Sequence, residues 1–154
     1  NLLRSKIAAN EASAAASMKQ IGVANATYSS AYAIGYAGTL AALGPAGGGC
    51  ATVSSACADL LDSLLSGVNP ATPNPVKSGY VFTYYAPVAV PTIAAQNSTY
   101  AAVAVPSSPR ITGQSSFCFD NTISIIKDAS GSLTAADPTG CAATWPIGGT
   151  VNPL

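Results

Sequence analysis

The residues of this 154-residue chain that could do chemistry begin with its cysteines, Cys50, Cys57, Cys118 and Cys141. Zinc ligands normally come as tighter C-x₂₋₄-C pairs, often with histidine, and the chain has no histidine. The spacing therefore favours two disulfides over a zinc site or free thiols. Three connectivities are possible, and pairing Cys50 with Cys57 and Cys118 with Cys141 is the simplest because it joins sequence neighbours. Disulfides indicate an oxidising compartment outside the cytoplasm.

A Ser-x-x-Lys pair and three aspartates are the other candidates for chemistry. Ser124 and Lys127 match the nucleophile motif of penicillin-recognising enzymes, but in a strand their odd spacing puts them on opposite faces. Asp120, Asp128 and Asp137 could bind Ca²⁺, yet no calcium-loop signature accompanies them, and turns explain the first two adequately. With no histidine and six carboxylates, none in a recognisable pair, we expect no enzyme, cofactor, metal site or small-molecule substrate.

Charge and composition exclude one class of partner. Charged residues make up 8% of the chain and the formal net charge is zero, so we expect no basic groove that binds nucleic acid. Low charge with abundant Ala, Ser, Thr and Gly is typical of an exported protein. Asn25 and Asn97 each begin an N-glycosylation sequon, although this short pattern often occurs by chance.

The elements that must position these residues begin with a helix over residues 1–34, which contains no proline. Its larger apolar side chains recur at helical spacing, so we expect this face to lie on the rest of the domain. The stretch Asn1–Tyr32 alone would form a helix about 48 Å long, which predicts that its N-terminal end projects. Lys6 and Glu11 on that end should contribute little to stability. The face on the sheet comprises Ile7, Met18, Ile21, Tyr28 and Tyr32.

The remaining segments complete a single α+β domain over residues 1–154. Residues 35–79 read as a loop region that contains a short amphipathic helix over 57–66, which ends at Gly67. Residues 80–128 alternate with the period of strands and predict a four-stranded antiparallel sheet. Residues 129–154 are rich in Gly and Pro and are assigned no regular structure. The strands expected are Tyr80–Val88, Ser98–Val105, Ser115–Asp120 and Thr122–Asp128.

Three stretches of the sequence resemble one family. "NLLRSKIAANEASA" resembles the amphipathic half of the N-terminal helix of bacterial type IV pilins and the related pseudopilins. "KSGYVFTYY" and "GQSSFCFDNTISIIKD" are similar to a strand and a hairpin of these subunits. Cys118 and Cys141 resemble the pair that bounds the family's C-terminal loop. The resemblance implies a pilin-like fold, with the long helix packed on the antiparallel sheet.

The resemblance also implies a function. In that family a hydrophobic helical half stands upstream of the matched residues, and we expect it to be missing from this chain, with any membrane contact made only through it. The chain would be a structural subunit of a type IV pilus-like filament on the bacterial surface, with copies of itself and other pilins as partners. One alternative is a pseudopilin of a type II secretion system in the periplasm. Another, from a different class, is a free-standing secreted adhesin or binding module.

Overall fold

A long helix and an antiparallel sheet build the domain, as a computed structural model describes it for residues 1–46 and 50–154. The sheet is a meander in which each strand pairs with the next along the chain. The fold is therefore α+β, as expected, and residues 47–49 of the expected loop region lie outside the described part. The elements are α1 Leu2–Tyr32, α2 Leu40–Leu43, β1 Val76–Lys77, β2 Tyr80–Tyr85, β3 Ala101–Pro106, β4 Ser116–Asp120, β5 Ile125–Asp128 and β6 Val151–Pro153.

The predicted number of strands is wrong, because the sheet has six strands instead of four. The two additional strands, β1 and β6, lie at the edges and have two and three residues. Such short segments show no alternating pattern, and their pairing depends on the neighbouring strand. Pro153 ends β6, where an edge strand tolerates a residue without an N–H group. β6 also shows that residues 129–154 are not entirely irregular.

The helix predicted over 57–66 is also wrong, since this segment forms turns. Asp59 has a left-handed φ of 55°, which no α-helix allows. The Asp62 carboxylate accepts a hydrogen bond of 2.8 Å from the backbone of Leu65, an example of a local side-chain bond that competes with helix formation. Cys57 exchanges two backbone hydrogen bonds with Ser54, and this bridge ties down the start of the segment.

A short helix forms instead inside the region expected to be loop. α2 is preceded by Thr39, whose hydroxyl accepts a hydrogen bond of 3.2 Å from the backbone of Ala42. This capping contact and the burial of Leu40 and Leu43 account for its single turn. Leu40 and Leu43 extend the core of the domain beyond the end of α1.

The helix-facing side of the sheet packs against α1, and we name it the front face. Met18, Ile21 and Tyr28 are buried in its core, while Tyr32 is partly buried against it. Ile7 is only half-buried and lies outside this cluster, so the apolar face that meets the sheet begins further along α1 than expected. The sheet contributes mainly aromatic side chains to the same cluster, namely Tyr80, Phe82, Phe117 and Phe119.

The opposite side of the sheet, the back face, carries a second buried cluster. The strands supply Ala101, Val103 and Ile126 to it. The segment over residues 129–150 supplies Trp145, which is completely buried. The sheet is therefore covered on both faces, by a regular helix in front and by a segment without regular structure behind.

Candidate functional site

Both disulfides join the sequence neighbours. Cys50 pairs with Cys57 at a Cα–Cα distance of 6.2 Å, and Cys118 pairs with Cys141 at 6.0 Å. The second bond links β4 to the segment that covers the back face. Two disulfides indicate an oxidising location outside the cytoplasm.

The N-terminal half of α1 is held on the sheet by Glu11, the only glutamate of the chain. Its carboxylate accepts hydrogen bonds from the backbone N–H groups of Gln114 (3.1 Å) and Ser115 (3.0 Å). Its other oxygen lies 3.2 Å from the ammonium of Lys127 on β5, and the side chain is 17% exposed. The expectation that Glu11 lies on a projecting part of the helix is therefore wrong, since the carboxylate clamps α1 to the sheet.

The electrostatics of this clamp favour the ionised carboxylate. Burial alone would raise the pKa of Glu11, but the backbone donors of Ser115 and Gln114 and the charge of Lys127 outweigh it, so the pKa lies below its ordinary value. No periodic pattern predicts the contact, because the apolar stripe identifies only the face that the core covers. The one available signal was the scarcity of charge, which makes each charged residue a candidate for a specific partner.

Two further hydrogen bonds hold the part of α1 around Glu11 against the rest of the domain. Asn10 donates a hydrogen bond of 2.7 Å to the backbone oxygen of Thr112, and the hydroxyls of Ser13 and Ser78 lie 2.9 Å apart. The first six residues of the chain are exposed, including Leu2 at 88% and Leu3 at 48%. The helix thus has a fixed part that packs on the sheet and an exposed stretch over residues 1–6 that carries Leu2 and Leu3.

Both sequon asparagines are completely buried, so neither offers its amide to a glycan. The oxygen of Asn25 accepts a hydrogen bond from the backbone of Ala37 at 3.0 Å, and its amide donates to the Tyr84 hydroxyl at 3.1 Å. That hydroxyl in turn donates to the backbone oxygen of Ala37 at 2.7 Å. Asn25 therefore fastens the chain that leaves α1 to strand β2.

Asn97 fastens the connection between β2 and β3 in a similar way. Its side chain accepts from the backbone N–H of Val88 at 2.8 Å and donates to the Val88 oxygen at 2.7 Å. It also donates to the backbone oxygen of Tyr36 at 3.2 Å. Both sequon matches are thus explained by internal hydrogen bonding, which the motif alone could not reveal.

The three aspartates considered as calcium ligands organise turns. Asp120, Asp128 and Asp137 each accept bonds from the residue two positions later, Thr122, Ser130 and Thr139 respectively. Within residues 1–46 and 50–154 no group of three potential metal ligands comes together. Of the Ser-x-x-Lys pair, Lys127 is engaged with Glu11, while Ser124 is exposed ahead of β5.

Tyrosines gather where α1 ends above the sheet. The rings of Tyr28 and Tyr32 are 4.9 Å apart, and Tyr100 contacts both Tyr36 (4.9 Å) and Tyr84 (5.7 Å). Burial is the main cause that raises the pKa of Tyr84 and of Tyr100. These rings act as packing groups of the front core.

Beside the fixed part of α1 lies an open cavity of about 360 Å³, which we name the lateral groove. One wall is the exposed side of α1 and the other is the hairpin that joins β4 to β5. At its base α1 passes close to Phe119, since a Cβ on Gly22 would come within 2.5 Å of that ring. Its lining comprises Lys19, Gly22, Val23, Ala26, Tyr36, Tyr100, Phe119, Asn121, Ile123 and Ile125.

Comparison with known proteins finds no matching family model, no matching curated protein and no matching solved structure. A long N-terminal helix on an antiparallel sheet is not specific to pilins. Among the described residues, no helix has both the length and the apolarity that a membrane span requires. The function must therefore be argued from the geometry of α1, its clamp and the lateral groove.

Proposed function

We propose that the chain is the outer domain of a pilin-like subunit that assembles into a bacterial surface filament through α1. The observation that carries the proposal is the division of this helix into two parts. From Asn10 onward it is fixed to the domain by side-chain hydrogen bonds, the Glu11 clamp and the buried front face. Residues 1–6 are exposed and display Leu2 and Leu3 to solvent.

This division suits a subunit that is anchored by one end of a helix. A hydrophobic helical segment joined to Asn1 would continue α1 directly, and the Glu11 clamp would hold the domain at a fixed position along the resulting rod. Burial of some 20 apolar residues per subunit would dominate assembly, since each large apolar side chain contributes about 1.5–3 kcal/mol. The resemblance of residues 1–14 to pilin helices supports the same role.

The test adds that segment. The chain is joined at Asn1 to the processed hydrophobic segment of a known pilin and produced in a bacterium that keeps its assembly machinery but lacks its own major pilin. We expect filaments that an antibody against the domain decorates along their length. The matched control is the same fusion with an uncleavable processing site, which should stay in the membrane. Absence of filaments from a folded, processed fusion would contradict the proposal.

The 154-residue chain itself provides the second measurement. Its exposed stretch over residues 1–6 presents two leucines beside Arg4 and Lys6, too little apolar surface to hold a polymer in water. Sedimentation at high concentration should therefore show no filaments. Stable filaments formed by this chain alone would overturn the proposed role of an added hydrophobic segment. Short periplasmic assemblies in place of long surface filaments would favour the pseudopilin alternative.

One observation favours a secreted binding module as the second candidate. The connection between β2 and β3 exposes Val90 and Ile93, at 78% and 80%, on a loop whose base Asn97 fastens. Loops that a folded scaffold positions and that display apolar side chains are common at binding surfaces. Both candidates place this loop on the outside, and only the filament proposal requires assembly through α1.

A further inference from the structure

The lateral groove has the dimensions of a small-molecule site. Its volume of about 360 Å³ falls within the range of roughly 300–1,000 Å³ that such sites occupy. It follows α1 over the eight residues from Lys19 to Ala26, about 10 Å of helix. The wall between these ends is apolar, with Val23 on the helix and Ile123 on the hairpin.

Lys19 and Tyr100 add polar groups to the lining of the lateral groove. Lys19 is exposed, and among the described residues the ion pairs involve other lysines, Lys77 and Lys127. Tyr100 is 2% exposed as a residue, and its hydroxyl makes no hydrogen bond within residues 1–46 and 50–154, unlike those of Tyr28, Tyr80 and Tyr84. The lining thus combines an unpaired cation and a hydroxyl with spare hydrogen-bonding capacity with an apolar channel.

Ile123 is an unusual residue for its position. It has a left-handed φ of 66° in the turn after β4, although β-branched residues are strained there. Its side chain is 79% exposed at the rim of the lateral groove, so packing within the domain does not compensate for the strain. Strained residues concentrate at sites that clamp ligands, and this placement supports the rim as a contact surface.

We propose that the lateral groove binds a small amphipathic carboxylate of the medium-chain fatty-acid class. The extended apolar chain would lie along Val23 and Ile123, and the carboxylate would pair with Lys19. Charge complementarity favours this occupant over an uncharged apolar molecule. A second copy of the chain fits less well, because stable interfaces between proteins bury about 1,200–2,000 Å² and the groove accommodates only a few side chains. The ligand is bound unchanged, and its binding does not depend on filament assembly.

The test titrates the ¹⁵N-labelled chain with decanoate below its micelle-forming concentration and follows amide resonances. We expect saturable shifts centred on Gly22, Val23 and Ile123, with decanol binding more weakly to the same residues. Substitution Lys19→Gln should weaken decanoate binding by about two- to fivefold, the range of an exposed charge pair, and leave decanol binding unchanged. Equal weakening of both ligands would contradict the pairing with Lys19.

A blocking variant tests the location separately. Ala26 is exposed and lines the lateral groove, so Ala26→Leu should obstruct it and reduce decanoate affinity at least tenfold without disturbing the core. Ala31→Leu places the same side chain at an exposed helix position outside the lining and is the matched control. Equal affinity of the two variants would overturn the assignment.

Two other outcomes would also overturn the proposal. Shifts at the lateral groove that appear on concentrating the protein without decanoate, and that decanoate does not displace, would identify a second copy as the occupant. Absence of saturable shifts from the folded protein would show that no amphipathic carboxylate binds there. Neither result bears on filament assembly, which the fusion experiment measures independently.

Discussion

The two faces of the sheet are buried to a similar degree by very different means. On the front, α1 satisfies its own backbone hydrogen bonds, so the core contact is made by an apolar stripe in which Met18 and Ile21 are completely buried. On the back, residues 129–150 bury Trp145 just as completely without a regular element. An irregular segment that covers a core must satisfy its backbone groups individually.

Buried polar side chains fulfil that requirement on the back face. The Asp128 carboxylate accepts hydrogen bonds from the backbone of Ser130, Ser132 and Leu133. The Asp120 carboxylate accepts from the backbone of Cys141 at 2.8 Å. A face covered by loop therefore depends on particular side chains, whereas a face covered by helix tolerates exchange of equivalent apolar ones. The predictions below test this difference.

The largest effect is expected at Trp145. Substitution Trp145→Ala should lower the free energy of unfolding by about 3–5 kcal/mol, because it leaves a cavity behind the sheet. It also leaves the Ala135 carbonyl without the indole N–H that donates to it at 2.9 Å. Chemical denaturation provides the measurement, with Ile147→Ala as control, since Ile147 is 58% exposed. Equal denaturation midpoints for Trp145→Ala and Ile147→Ala would show that the buried cluster on the back face contributes little to stability.

On the front face, Ile21→Ala should cost about 2–5 kcal/mol, since Ile21 is completely buried between helix and sheet. Ile21→Val should cost only about 0.5–1.5 kcal/mol, because a helix-covered face retains most of its packing. Lys6→Ala on the exposed end is the neutral control. Equal melting temperatures for Ile21→Ala and Lys6→Ala would show that the wrong helix face has been assigned to the core.

The two disulfides provide a matched pair for the same comparison. In the chain-entropy model, removal of Cys118–Cys141 costs about 3.4 kcal/mol and removal of Cys50–Cys57 about 2.5 kcal/mol. The first bond also ties the irregular cover to β4, so its double serine variant should expose Trp145 to solvent. Tryptophan fluorescence, from the single tryptophan of the chain, reports this directly. An unchanged spectrum would mean that the cover stays in place without its covalent link.

The sequence predicts the regular, helix-covered side well and the loop-covered side poorly. The stripe through Met18, Ile21 and Tyr28 is a long periodic signal, and four of the six strands alternate over enough residues to be recognised. β1 and β6 are too short to show an alternation of apolar and polar residues, and each forms because the strand beside it offers a pairing edge. The turns over 57–66 replace a helix because the bonds of Asp62 and Cys57 compete with helical ones.

The candidate site was predictable only in part. Lys19 and Val23 could be placed on the outer side of α1 by periodicity, but the hairpin wall of the lateral groove depends on how the sheet twists beneath the helix. Asn25 and Asn97 match the sequon, but the motif carries no information on burial and could not show that both side chains are internal. Glu11 was placed on a free end because helix length alone cannot show how far the sheet extends along it.

The smallest effects concern charge, and they differ between the faces in their pH dependence. On the back face, burial would raise the pKa of Asp128, but donors from Ser130, Leu133 and Thr150 hold it far below its ordinary value. On the front face the pKa of Glu11 is also lowered. In each case the unfolded chain binds the proton more readily, so stability rises with pH between the folded and unfolded pKa.

Glu11→Gln is therefore expected to cost about 1.5–3 kcal/mol at neutral pH, because one charged acceptor serves two backbone donors and Lys127. The difference in free energy of unfolding between Glu11→Gln and the unsubstituted protein should be fully present above the ordinary pKa of glutamate. It should disappear as the pH falls through the pKa of Glu11 in the folded protein. The corresponding difference for Asp128→Asn should persist to lower pH, because the donors from Ser130, Leu133 and Thr150 outweigh burial and hold the pKa of Asp128 further below its ordinary value. Denaturation curves at several pH values measure both. The contrary result would be a loss of stability from Glu11→Gln that persists to lower pH than the loss from Asp128→Asn. It would mean that the loop-covered face does not depend on its buried carboxylate more than the helix-covered face does, and the contrast between the two faces would fail.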